Sequence, residues 1–167
     1  VVIRGGASEN LIGGEGEAYA NLIDHSLDEA VLIEGGGTEG NRVVGNVIRG
    51  DDHGVTIRDG AMENRIGSAS GWGNRISARH HGVVIAGPAT SANMLIGNEV
   101  TYCGFSGVAI HGGAFNNRIG GAANGEGNII GANCSDGVIL YDPDTDGNEI
   151  LGNTIAHNGE IGVFMVN

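Results

Sequence analysis

The residues best suited to chemistry are carboxylates and histidines that precede short apolar runs of the form Gly-Val-x-Ile. Asp51, Asp52 and His53 lie in GDDHGVTI, and Arg79, His80 and His81 in RHHGVVI. Asp28 and Glu29 precede Val31; Tyr102, Cys103 and Phe105 precede Val108; Cys134 and Asp136 precede Val138; His157 and Glu160 precede Val163. Carboxylates set against imidazoles can pass protons as general acid and base, or hold a cation. A transition metal would draw on His53, His80, His81 and Cys103, whose spacing matches no closed zinc motif. Calcium would fall to Asp51 and Asp52, or to Asp142, Asp144 and Asp146 in YDPDTDGNE. That last stretch opens like an EF-hand loop but lacks the bidentate Glu, so a turn rich in Asp, Pro and Gly is the more economical account.

These segments are distant in sequence, and a repeat brings them together. Three blocks, 10–63, 64–116 and 117–167, begin at Asn10, Asn64 and Asn117, which are 54 and 53 residues apart. A fixed period of this kind sets the architecture before any local feature does. Each block divides into a longer and a shorter coil, and each coil offers three apolar pieces in one order. The first is Asn-x-Ile/Val/Leu at Asn10, Asn41, Asn64, Asn93, Asn117 and Asn148; the second repeats it at Asn21, Asn46, Asn74, Asn98, Asn128 and Asn153. The third carries its valine at Val31, Val55, Val83, Val108, Val138 and Val163, and the opening 1–9 is the third piece of a preceding coil.

Apolar residues alternate over three or four positions before Gly or Asn breaks the run, which is the signal of short strands. No stretch sustains helical periodicity. The sequence therefore predicts an all-β, single-domain, right-handed parallel β-helix over 1–167, with about six coils of three strands and a length of roughly 30 Å. Ile12, Val43, Ile66, Leu95, Ile119 and Ile150 form one inward column. Ile23, Ile48, Ile76, Val100, Ile130 and Ile155 form a second, and Ile33, Ile57, Ile85, Ile110, Leu140 and Met165 a third. The asparagines suit corners, where their amides can bond from coil to coil as ladders. In this arrangement the polar residues before each third strand stack about 5 Å apart at one corner.

Composition narrows the partners. The chain has a net charge of −12 and no lysine, so no basic stripe exists to neutralise the phosphates of a nucleic acid or the headgroups of an anionic membrane. No apolar run is long enough for insertion in a membrane. Acidity fits a soluble surface, divalent cations or a salty setting. Cys103 and Cys134 fall in corresponding corners of adjacent coils, offset by one residue, which leaves a disulfide geometrically open beside a pair of free thiols. Val1 and Asn167 fall on strands, which suggests a piece of a longer array and leaves end-to-end self-association through uncapped coils as an expectation.

The order N-x-I-G-G, G-N-x-I, G-V-x-I resembles the bacterial secreted right-handed parallel β-helix repeat of the pectate-lyase-like superfamily, across essentially the whole chain. The resemblance implies an extracellular or cell-surface location and contact with polysaccharide. GDDHGVTI and RHHGVVI also resemble the polygalacturonase active-site corner. Under that likeness Asp52 is the general acid, Glu29 and Asp51 position the attacking water, and His81 tunes their protonation; widely spaced carboxylates would give inversion. The chain departs from that family where His53 and Gly54 separate the acids from their strand, and where VTYCGFSGVAI stands in place of an Arg-x-Lys motif. A pectate-lyase-like reaction would need an Arg base and a calcium site, for which Arg79, Asp51 and Asp52 are the adjacent candidates. The leading expectation is a non-catalytic extracellular module, a spacer or an adhesive face toward polysaccharide. The alternatives are a polysaccharide hydrolase or lyase, and a self-assembling unit.

Overall fold

The chain folds as a parallel β-solenoid of about six turns, with three strands per coil and three sheets. The computed structural model describes residues 1–166. The first sheet holds six strands, from Leu11–Gly13 to Glu149–Leu151, and the second six, from Leu22–Ser26 to Thr154–Ala156. The third holds seven, from Val2–Arg4 and Val31–Glu34 to Val163–Met165. The single helical turn among the described residues is a 3-10 turn at Glu17–Tyr19. Strands are three to five residues long because each must end where the coil turns its corner.

Register follows the three aliphatic columns. Ile66 pairs with Val43 and Leu95, Ile76 with Ile48 and Val100, and Ile85 with Ile57 and Ile110. Period-two alternation turns these residues inward, where they form one continuous core. Ile3 extends the third column by pairing with Ile33, so the opening segment is a strand of that sheet.

Two asparagine ladders close the corners. Each interior amide oxygen accepts both the backbone N–H and the Nδ2–H of the asparagine one coil before. Asn74, for example, accepts from Asn46 at 3.0 Å through both donors, and donates to Val43 O at 2.7 Å and Asn98 Oδ1 at 2.9 Å. The amides are buried, and saturation of their donors and acceptors is what makes that burial tolerable. A shorter third ladder runs at the remaining corner, where Asn133 Oδ1 accepts from Cys103 N at 3.0 Å and Asn158 Oδ1 accepts from Asn133 Nδ2 at 2.9 Å.

The corner before the third sheet is crowded. A Cβ on Gly54 would stand 2.5 Å from Gly82 O and 2.6 Å from Ile76 Cγ2, so the chain needs a glycine between the polar corner residues and their strand. This packing fixes where Asp52, His53, His80 and His81 begin.

Candidate functional site

Two adjacent coils build the polar corner. Asp52 and His53 follow strand Val47–Gly50, and His80 and His81 follow strand Arg75–Ala78. The backbone locks the coils in register through His80 N to Asp52 O at 3.0 Å and Gly54 N to His81 O at 3.2 Å. The His80 Nδ1 edge contacts Asp52 Oδ1, and His53 Nε2 lies 3.8 Å from Asp52 Oδ2. His53 stacks on His81 with ring centroids 5.5 Å apart, and Phe105 from the next coil packs edge-on against His80 at 5.1 Å. His81 donates its backbone N–H to His53 Nδ1 at 3.3 Å, while its own Nδ1 is buried with no partner. Burial, reinforced by the neighbouring His53, pushes the His81 imidazole down to about 4, so it is neutral at neutral pH.

The structure divides the four residues expected at a catalytic corner. Asp52 and His81 lie in one cluster with His53 and His80. Asp51 is exposed and has no side-chain partner among the described residues. Glu29 pairs with Arg58 at 3.6 Å, and Arg58 also binds Glu34 at 3.1 Å, so the Glu29 carboxylate is tied into an ion-pair network over the third sheet. Arg79 sends its backbone N–H to Gly50 O and shows no side-chain bond among the described residues. For calcium, Asp51 is likewise not joined to Asp52 in any group of three ligands; the group that forms is nitrogen-rich, Asp52 with His53 and His80. Asp142 and Asp144 adopt positive φ of 76° and 65°, and Asp142 accepts from Gly112 N at 3.2 Å. They build a turn.

The disulfide left open by the spacing does not form. Both cysteines are free, with Cys103 buried and Cys134 exposed. Cys103 occupies an asparagine position in the third ladder, opposite Asn133, and the one-residue offset that places Cys134 after Asn133 turns its side chain outward. Burial pushes the Cys103 thiol up to about 12.

Above the third sheet, Leu32, Thr56, Val84 and Ala109 are buried although they lie outside the core. Thr56, Val84, Asp52, His53, Arg58 and His111 line a shallow groove of about 470 Å³ there. Thr56 Oγ1 is buried without a partner. His111 stacks on Tyr141 with centroids 4.8 Å apart, and burial lowers its pKa.

A second recess of about 490 Å³ lies on the corner between the first and second sheets. Turns there alternate in length: 14–21, 68–74 and 121–128 are long, and 45–46, 97–98 and 152–153 are short. The long loops meet across the short turns. Ser68 Oγ donates to Glu15 Oε1 at 2.7 Å, and Gly125 packs so closely that a Cβ there would stand 2.0 Å from Ala69 O. Trp72, 37% exposed, sits in the resulting notch with Glu17, Arg75, Glu99 and Ile129. Arg75 Nε lies 3.7 Å from Glu99 Oε2. The sequence signal for this notch is the alternation of G-G-x₅–₆-G-N with G-N.

Compared with protein-family models, with curated proteins and with solved structures, the chain matches none. Its class is defined by the fold itself: a parallel β-solenoid whose corners are held by asparagine ladders. No helix among the described residues is long and apolar enough to cross a membrane.

Proposed function

We propose that the chain is a rigid, non-catalytic module of an extracellular or cell-surface protein, and that it holds a polysaccharide chain in the Trp72 recess. The observation that carries this reading is a half-exposed indole in a notch rimmed by charged groups. The apolar face of a sugar ring stacks on such an indole, and its hydroxyls bond to carboxylate and guanidinium groups like those of Glu99 and Arg75. Long loops recur at every second coil, about 9.6 Å apart, a step on the scale of two sugar units. A net charge of −12 favours a neutral glycan over an acidic one. The extracellular setting rests on the likeness of the repeat to secreted β-helices. The catalytic alternative has less support, because Asp51 is exposed without a side-chain partner among the described residues and Glu29 is held by Arg58.

Trp72 is the single tryptophan, so its fluorescence reports on the recess alone. Titration with a panel of neutral and acidic polysaccharides is expected to give a saturable change for at least one neutral glycan. Trp72→Ala is expected to weaken retardation of the protein in gels cast with that glycan by roughly tenfold or more, the loss of one good stacking contact. Retardation unchanged in Trp72→Ala would reject the recess as the site. Release of reducing ends or unsaturated products would replace this reading with an enzyme.

A further inference from the structure

We propose that Asp52, His53 and His80 form a binding site for a divalent transition-metal ion of the zinc and cobalt type. One ligand atom from each of the three side chains lies within 4.8 Å of the others. Around a tetrahedral ion with metal–nitrogen distances near 2.1 Å, ligand atoms stand about 3.4 Å apart. Small side-chain rotations therefore suffice to close the site, and the backbone need not move.

The main chain under the ligands is already fixed. Asp52 and His53 are consecutive on one coil, His80 sits on the next, and the bond from His80 N to Asp52 O ties the two together at 3.0 Å. A site set on rigid stacked coils gives up little freedom on binding. Phe105 braces the His80 ring from the coil beyond. The donor set decides the class of ion. Two imidazoles and one carboxylate favour borderline transition metals; calcium and magnesium prefer oxygen-rich sets.

Three protein ligands leave at least one position for water or another small ligand. Access is open: the side chains of His80 and Asp52 are 52% and 37% exposed, and Asp52 and His53 line the groove over the third sheet. Without metal, the carboxylate of Asp52 serves as partner to both imidazoles. Coordination through His53 Nε2 puts that ring's proton on Nδ1, which gives up the long 3.3 Å contact from His81 N–H. Loss of one weak bond is a small cost beside three coordinate bonds. The site is on a different corner from Trp72 and stands independently of glycan binding.

The test uses metal-free protein without a polyhistidine tag, titrated with Co²⁺ and followed by its visible absorption, then displaced with Zn²⁺. One equivalent is expected to bind saturably, and Zn²⁺ is expected to raise the thermal midpoint. His80→Gln and His53→Gln are each expected to weaken binding by roughly tenfold or more, since even groups that merely support ligands cost that much. His157→Gln, at an exposed histidine three coils beyond His80, is expected to change nothing. Circular dichroism checks that the variants retain the fold; His80 is half-exposed, so its replacement leaves the core intact. Absence of saturable binding, binding retained in both His80→Gln and His53→Gln, or equal loss in His157→Gln would each overturn the site.

Discussion

At the scale of single residues, the polar corner shows how one position of offset decides a side chain's fate. Cys103 stands in a ladder position and is buried; Cys134 follows its ladder residue and is exposed. The buried thiol, pushed up to about 12, is almost wholly protonated at neutral pH, and the thiolate is the reactive species. A thiol reagent is expected to label one cysteine in the native protein, Cys134, and both after denaturation. Labelling two thiols under native conditions, or none, would contradict the placement. Asp52 and His81 illustrate the same point for the acid–base reading: both lie at one corner, but Asp52 is engaged by His80, and His81 lies neutral beneath the cluster. Side-chain direction at a corner depends on backbone angles that alternation alone does not supply, and so Asp51 was indistinguishable from Asp52 in the sequence.

At the scale of the coil, the ladders make a graded prediction. Asn74→Ala removes an acceptor that serves two donors of Asn46 and removes donors to Val43 O and Asn98 Oδ1, all inside the protein. With each stranded buried group costing about 1–3 kcal/mol, the variant is expected to lose about 3 kcal/mol or more in urea unfolding. Asn10, at the end of its ladder and exposed, donates only to Asn41 Oδ1, so Asn10→Ala is expected to cost less than about 1 kcal/mol. Equal costs would mean the ladder amides act independently of burial. This element-level order was legible in the sequence, because inward columns such as Ile66 and Leu95 are set by a period of two and the ladders by a recurring Asn. The short ladder through Asn133 and Asn158 was not, since Cys103 interrupts the residue type that would have announced it. The third sheet's outward residues Leu32, Thr56 and Val84 also gave no signal of burial, since alternation places them on the outer face.

At the scale of the whole molecule, the long loops form a second periodicity laid over the first. The inner coils are equivalent at their core, yet only alternate coils carry a loop into the wall around Trp72. Stability in such an array is a sum over coils and nearest-neighbour contacts, so deletions that keep the pattern are tolerated. Removing 64–116 joins Glu63 to Asn117, keeps long next to short, and sets loop 14–21 beside loop 121–128. That chain is expected to fold, with the urea dependence of its unfolding free energy reduced by about a third, in proportion to the surface lost. Removing the single coil 64–92 takes out less chain but joins Glu63 to Asn93, which sets the short turns 45–46 and 97–98 against each other. Its loops 14–21 and 121–128 then stand three coils apart, and the loop-to-loop contacts now made by Ser68 with Glu15 and by Gly125 with Ala69 have no counterpart. The smaller deletion is therefore expected to give the lower urea midpoint. The opposite ranking would show that coil number alone governs stability and that the loop wall is an ornament on a uniform solenoid.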